Sequence, residues 1–139
     1  MSTTPNSIIT PQTPNFGAGG ITLLTANTAT DGTGTVGTVY TAGSNGSKCD
    51  SIRIKYTGNC VATVVRVFWN NGSTNATATN NGYFSDIPVP AVTNFGAAVA
   101  QQDIIWPISL TLPGNFKINV VTATTVANAL AVTASGGDL

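Results

Sequence analysis

From residue 21 onward the chain is written in short apolar runs broken by Gly, Asn and Pro. Within the runs, apolar and polar residues alternate with a period of two. In 48–57, Ile52, Ile54 and Tyr56 share one face, and Ser51, Arg53 and Lys55 share the other. In 102–112, Ile104, Trp106, Ile108, Leu110 and Leu112 fall on one face. In 115–124, Phe116, Ile118 and Val120 oppose Lys117 and Asn119. Such alternation marks strands with one face on a core and the other on solvent or a neighbour. Val, Ile, Thr and aromatics fill the runs, as strands prefer. Eight strands are predicted, at about 21–29, 35–42, 48–57, 60–70, 82–89, 102–112, 115–124 and 128–135. Eight strands at this spacing predict an all-β fold, a two-sheet β-sandwich with jelly-roll connectivity. No helical stripe of useful length is present, though 91–101 has room for one short helical turn.

Two strands break the simple alternation. Residues 60–70 are apolar on both faces, with Val61, Val65, Val67 and Trp69 on one and Val64 and Phe68 on the other. That strand is expected to be central, or to have its outer face covered by another subunit. Pro107 cannot donate a ladder hydrogen bond, so 102–112 is expected at an edge or to carry a bulge. Gly58-Asn59 suits a tight primed turn, which predicts a hairpin between 48–57 and 60–70. The polar stretch 70–82 is the longest loop, bracketed by Asn-Asn-Gly at 70–72 and again at 80–82.

Residues 1–20 form a different segment. Pro5, Pro11 and Pro14 exclude helix and central strand and favour an extended path. Ile8, Ile9 and Phe16 are apolar residues that a purely solvated tail has little use for. The segment therefore reads either as an arm that docks its apolar residues on a neighbouring subunit, or as a frayed terminus. The division is an arm over 1–20 and a sandwich over 21–139.

The charge content sharpens this picture. Only ten of 139 residues are charged, five cationic and five acidic, or 7%. A soluble domain ordinarily carries about 25%. Polarity comes from Thr, Asn, Ser and Gly instead. A nearly neutral surface loses little hydration when it packs against another, which suits a chain that lives in an assembly. Five scattered cations do not make a phosphate-binding patch, so nucleic acid is not an expected partner. The first residues lack the basic and apolar regions of a signal peptide, and no apolar run reaches the roughly 18 residues of a membrane helix. The expectation is a chain made in a cytoplasm, with no membrane partner.

Chemistry is hard to find. The sequence contains no His and no Glu. That removes Ser–His and Cys–His nucleophile pairs and the usual acid–base donors. Zinc would have two Cys and nothing else. No acid-rich loop suggests calcium. No catalytic residue, metal, cofactor or small-molecule substrate is therefore expected, and the chain reads as a non-enzyme. With a turn at 58–59, Cys60 faces Thr57 and Cys49 faces Phe68. The two sulfurs then lie on the order of 25 Å apart, at about 3.3 Å per residue. A disulfide needs Cα atoms within about 7 Å, so both thiols are expected to be free. Trp69, Asn70, Asn71, Tyr83 and Phe84 flank the long loop, as a carbohydrate site would require, but Trp69 and Phe84 read more simply as core.

Several stretches carry a resemblance. They are Thr30–Val36 (TDGTGTV), Tyr40–Ser47 (YTAGSNGS), Arg66–Asn75 (RVFWNNGSTN) and the ending Ala131–Asp138 (AVTASGGD). Together they resemble small β-rich virion proteins of tailed phages, including phages of cyanobacteria, over most of residues 22–139. The resemblance implies a head decoration, or cement, protein on the capsid exterior. Such proteins sit at junctions of the major capsid protein, commonly as homotrimers. Under that reading Arg53, Lys55 and Arg66 are candidates for meeting acidic capsid surface, with Ile8, Ile9 and Phe16 on the arm. The outer faces of 48–57 and 60–70 would form a symmetric interface. The competing expectation is a tail or fibre component that binds a host receptor or glycan through the aromatics around 70–82.

Overall fold

The computed structural model describes residues 11–17 and 20–139. They form nine strands: β1 (Thr13–Asn15), β2 (Ile21–Leu23), β3 (Gly37–Thr41), β4 (Ser47–Tyr56), β5 (Thr63–Asn70), β6 (Asn81–Val89), β7 (Ile104–Leu112), β8 (Lys117–Thr122) and β9 (Leu130–Asp138). A single 3-10 turn, Ala78–Asn80, precedes β6. Two antiparallel sheets pack face to face. In sheet A, β9 is flanked by β4 on one side and by both β1 and β2 on the other, and β7 closes the far edge. Sheet B runs β3-β8-β5-β6.

The connectivity is that of a jelly roll. Strand pairs β2·β9, β3·β8, β4·β7 and β5·β6 are all antiparallel. This is one long ribbon hairpin wound into a barrel-like sandwich. Its apex is the 71–80 loop. Between the sheets lie Val39, Ile52, Ile54, Val65, Val67, Ile87, Ile118, Val120, Leu130 and Val132, all buried. The alternation read from 48–57, 102–112 and 115–124 points the predicted residues into this core.

Several local expectations change. The hairpin at Gly58-Asn59 does not form. β4 pairs with β7 and β9, while β5 pairs with β6 and β8 in the other sheet. Residues 57–62 therefore cross between sheets. Short-range turn chemistry cannot distinguish a hairpin from such a crossing, because both need a sharp change of direction. Cys60 bridges Val92 rather than Thr57, and Cys49 pairs with Leu110 and Gly136 rather than Phe68. Both cysteines are nevertheless free and buried. The strand expected over 21–29 stops at Leu23, and residues 91–101 form turns and bridges with no helix. β5 is central in sheet B. β7 is an edge strand and also lies against a register shift between Cys49 and Ser51, so both consequences drawn from Pro107 hold.

One side of the sandwich is closed by the arm. β1 pairs with β9, Thr13 opposite Asp138. Asn15 then reaches across to sheet B, its Nδ2 donating to the Thr41 carbonyl at 2.9 Å and to Asp138 Oδ1 at 2.8 Å. Gly17 sits in the left-handed region at φ 67° against β3, where a Cβ would lie 2.0 Å from the Val39 carbonyl oxygen. Only glycine fits such an approach.

Candidate interaction surface

The two sheets present very different outer faces. On sheet B, the 24–36 connection folds back along the strands. The Asn27 amide donates to the Thr122 carbonyl at 2.9 Å. Arg66 Nη1 donates to the Thr28 carbonyl at 3.4 Å. Asn81 Nδ2 donates to the Asp31 carbonyl at 3.1 Å. Asn75 Nδ2 donates to the carbonyls of Gly32 and Gly34. Asn27 Nδ2 closes the loop on itself through the carbonyls of Thr33 and Thr35. Phe68 and Val121 are buried on this face although neither belongs to the central core. Phe68 also packs on Tyr83, ring centroids 5.0 Å apart. The apolar outer face of 60–70 is thus covered by the protein's own chain.

Sheet A carries no such cover among the described residues. Its outer face shows rows of side chains set by the register. Arg53 stands between Ile105 and Thr133, and Ser51 between Pro107 and Ser135. Ile105 is 53% exposed and Phe16 71%. Phe16, Ser51, Arg53, Thr133 and Ser135 border one shallow depression of about 370 Å³. Phe16 of the arm and Arg53 of β4, both candidates from the sequence, therefore border the same depression. Lys55 Nζ lies 2.5 Å from Asp103 Oδ1, and Arg53 Nη1 lies 3.4 Å from Asp103 Oδ2. The hydrogen bond from Lys55 holds the Asp103 carboxyl below its usual range, with the nearby positive charges adding to the effect. Asp103 spreads its one negative charge over two cations, leaving the cluster net positive.

Arg66 does not join this group. It projects from the outer face of sheet B, opposite Asp86 in the ladder, on the other side of the molecule. Ile8 and Ile9 lie outside the described residues. The sequence missed Asp103 and Ile105 as partners of Arg53, because the pairing of β7 with β4 joins segments about fifty residues apart and no local signal announces it. Ile105 alternates with the inward Ile104 and Trp106 and so falls on the outer face.

Several other polar and thiol groups make contacts within the fold. Among the described residues, no group of three or more Cys or Asp could hold a metal ion. Burial pushes the Cys49 thiol up to about 12 and raises that of Cys60, so neither is a thiolate at neutral pH. Asp31 caps a turn through Thr33. Asp138 accepts from Asn15 and from the Gly43 amide. Tyr40 and Ser47 share a buried hydrogen bond, and Ser47 Oγ donates to the Gly137 carbonyl at 2.9 Å. Trp69 stacks on Phe116 with centroids 6.0 Å apart. Phe84, read as core, is exposed at a register shift in the β5·β6 ladder. Comparison with known proteins finds no matching family model, no matching curated protein and no matching solved structure.

Proposed function

We propose that the protein is a non-catalytic virion building block, a decoration subunit on the exterior of a phage head, which meets the major capsid protein through the outer face of sheet A. The observation that carries this reading is the contrast between the faces. One is sealed by 24–36, and the other is left open with Phe16, Ile105 and a net-positive cluster in a field of Thr and Ser. A flat face with few charges loses little hydration on docking, and its few charges give register and encounter rate more than affinity. A subunit that binds only the assembled shell stabilises that shell by mass action. The resemblance of TDGTGTV, YTAGSNGS and RVFWNNGSTN to phage virion proteins supports the same role.

Electron microscopy of particles carrying a tag at Leu139 tests the location, with density on the head exterior as the expected result. The face is tested by rebinding purified protein to heads stripped of it. An Arg53→Glu, Lys55→Glu chain should bind at least ~10-fold more weakly, the scale of a tight charged contact reversed.

A second reading has its own observation. Tyr83 and Phe84 are exposed beside the 71–80 apex, as a glycan-binding tail or fibre component requires. Density on the tail, together with specific hits on a glycan array, would favour it.

A further inference from the structure

Three Asn-Gly pairs occur in the chain, at 45–46, 71–72 and 81–82. Such a pair can react with itself. The backbone nitrogen of the glycine attacks Cγ of the asparagine, and glycine, lacking a Cβ, hinders that attack least. The fold treats the three pairs differently. Asn81 Nδ2 donates to the carbonyls of Asp31, Asn75 and Thr77, and Asn81 Oδ1 accepts from Asn70. Asn71 Nδ2 donates to Asn80 Oδ1 at 3.2 Å, and Asn71 Oδ1 accepts from the Ser73 amide at 3.1 Å. Asn45 is exposed at the corner of a turn, and its side chain makes no hydrogen bond among the described residues.

The glycine nitrogens do not separate the first two pairs. The Gly46 amide donates to the Gly43 carbonyl at 3.0 Å, and the Gly72 amide to Asn70 Oδ1 at 2.9 Å. Both nitrogens are similarly tied, so the side chain decides the rate. A bonded Asn side chain must break its hydrogen bonds before it can turn onto the nitrogen. Each bond lost slows the step by up to ~10-fold. Gly82 pairs with Trp69 in the β5·β6 ladder, which holds its backbone as well.

We infer that Asn45 is a self-modification site, where the folded chain turns an amide into an acid and so loosens the tie of its own arm. The Gly46 nitrogen bonds to Asn45 Cγ, the Cγ–Nδ2 bond breaks, and ammonia leaves with the proton that the Gly46 nitrogen gives up. Water then opens the cyclic imide at either carbonyl, and nothing is oxidised or reduced. One opening gives aspartate. The other gives isoaspartate, whose backbone runs through the former side chain and is longer by a carbon. The turn has no slack for that carbon. A Cβ on Gly114 would lie 2.1 Å from the Ser44 carbonyl oxygen, and one on Gly46 2.8 Å from that of Leu112. The same turn holds the end of β9. The Gly43 amide donates to Asp138 Oδ1 at 3.1 Å, and the Leu139 amide to the Gly46 carbonyl at 3.1 Å. Asp138 in turn accepts from Asn15 of the arm. Either product also puts a new negative charge in the turn whose Gly43 amide holds the Asp138 carboxylate. The inference is independent of the capsid reading, since it needs only this turn.

Peptide mapping of the full chain, aged in mildly alkaline buffer, tests the site. Trypsin releases 1–48 with Asn45 and 67–117 with the other two pairs, and fragmentation of each peptide by mass spectrometry finds the converted residue. In the folded chain, position 45 should gain the amide-to-acid mass at least ~10-fold faster than 71 or 81. In urea the three positions should convert at similar rates, because the side-chain hydrogen bonds are gone. The aged chain should also lose its arm to a broad-specificity protease sooner than fresh chain does. An Asn45→Gln chain aged alongside it should keep the arm, and the mapping stands even if that variant misfolds. Conversion at 71 or 81 that matches 45 in the folded chain overturns the inference. So does a folded chain that leaves 45 intact while the unfolded chain converts it. A chain fully converted at 45 that holds its arm as firmly as fresh protein overturns the link to the arm.

Discussion

Sheet A and sheet B are built from the same residues in the same alternating pattern, yet their outer faces have opposite fates. Sheet B hides Phe68, 1% exposed, under its own chain, and sheet A leaves Ile105 in solvent. The difference lies in one connection. The β2–β3 segment is long enough to run along sheet B and return, and it is lined with Asn side chains that satisfy its backbone carbonyls. Among the described residues, no connection of sheet A does this. An apolar residue on an outer face is therefore ambiguous until the chain that covers it is known. At Phe68 it marks an internal lid, and at Ile105 and Phe16 it is left exposed among the described residues.

The contrast is sharpest at those residues. Phe68→Ala should cost ~3–5 kcal/mol, the range for a buried Phe truncated to Ala. Ile105→Ala, one sheet away, should fall within about 0.5 kcal/mol of the parent. Urea unfolding of both variants checks the pair, and equal losses would dissolve the distinction between the faces.

Next in size is the lid's anchor. Asn81 donates to the carbonyls of Asp31 and Asn75 and accepts from Asn70 Nδ2. Asn81→Ala should destabilise by ~1–3 kcal/mol, the cost of leaving polar groups unpaired, and should raise amide exchange across 24–36 before the rest of sheet B.

A smaller effect follows from acid. The Asn15 hydrogen bond, with help from the Gly43 amide, holds the Asp138 carboxyl below the usual carboxylate range, and Lys55 does the same for Asp103. A folded-state pKa below the unfolded one gives stability that is present above about 3.8 and is lost as pH falls through the lowered value. The β1 arm should therefore become sensitive to protease below pH ~4 while sheet B keeps its exchange protection. Asp138→Asn should show the loosened arm already at neutral pH. The smallest effect concerns the thiols. Cys49 and Cys60 should resist a thiol reagent at neutral pH and react only on unfolding, since burial keeps both protonated.

Much of this was legible beforehand. Period-two patterning found all eight ribbon strands, because a strand half on a core must alternate. It also named the inward residues of β4 and β7. Pro107 marked an edge, since a missing donor is local information. What stayed hidden was pairing. Gly58-Asn59 looks like a hairpin turn, and only the competition among all strands for partners sends β5 to the other sheet. Within the candidate surface, Arg53, Lys55 and Phe16 were nameable singly, but their common site depends on β1 and β7 joining β9 and β4 across most of the chain. The repeat of Asn-Asn-Gly was visible without its meaning. The two copies face each other at the ribbon apex, Asn70 Nδ2 donating to Asn81 Oδ1 and Asn71 Nδ2 to Asn80 Oδ1.

The ribbon also dictates an order of events during synthesis. Its apex pair, β5·β6, is the only couple of consecutive strands paired with each other among the described residues, and the pairs further along the ribbon join segments progressively further apart. The outermost tie, Asn15 to Asp138, spans 123 positions. Closing such distant segments is slow, on the millisecond-to-second scale of β topologies. A nascent chain halted before residue 130 has no β9 to receive β1, β2 or β4. It would leave the ribosome with three of the seven strand ladders unformed, and the nine residues of β9 would decide whether it matures or aggregates.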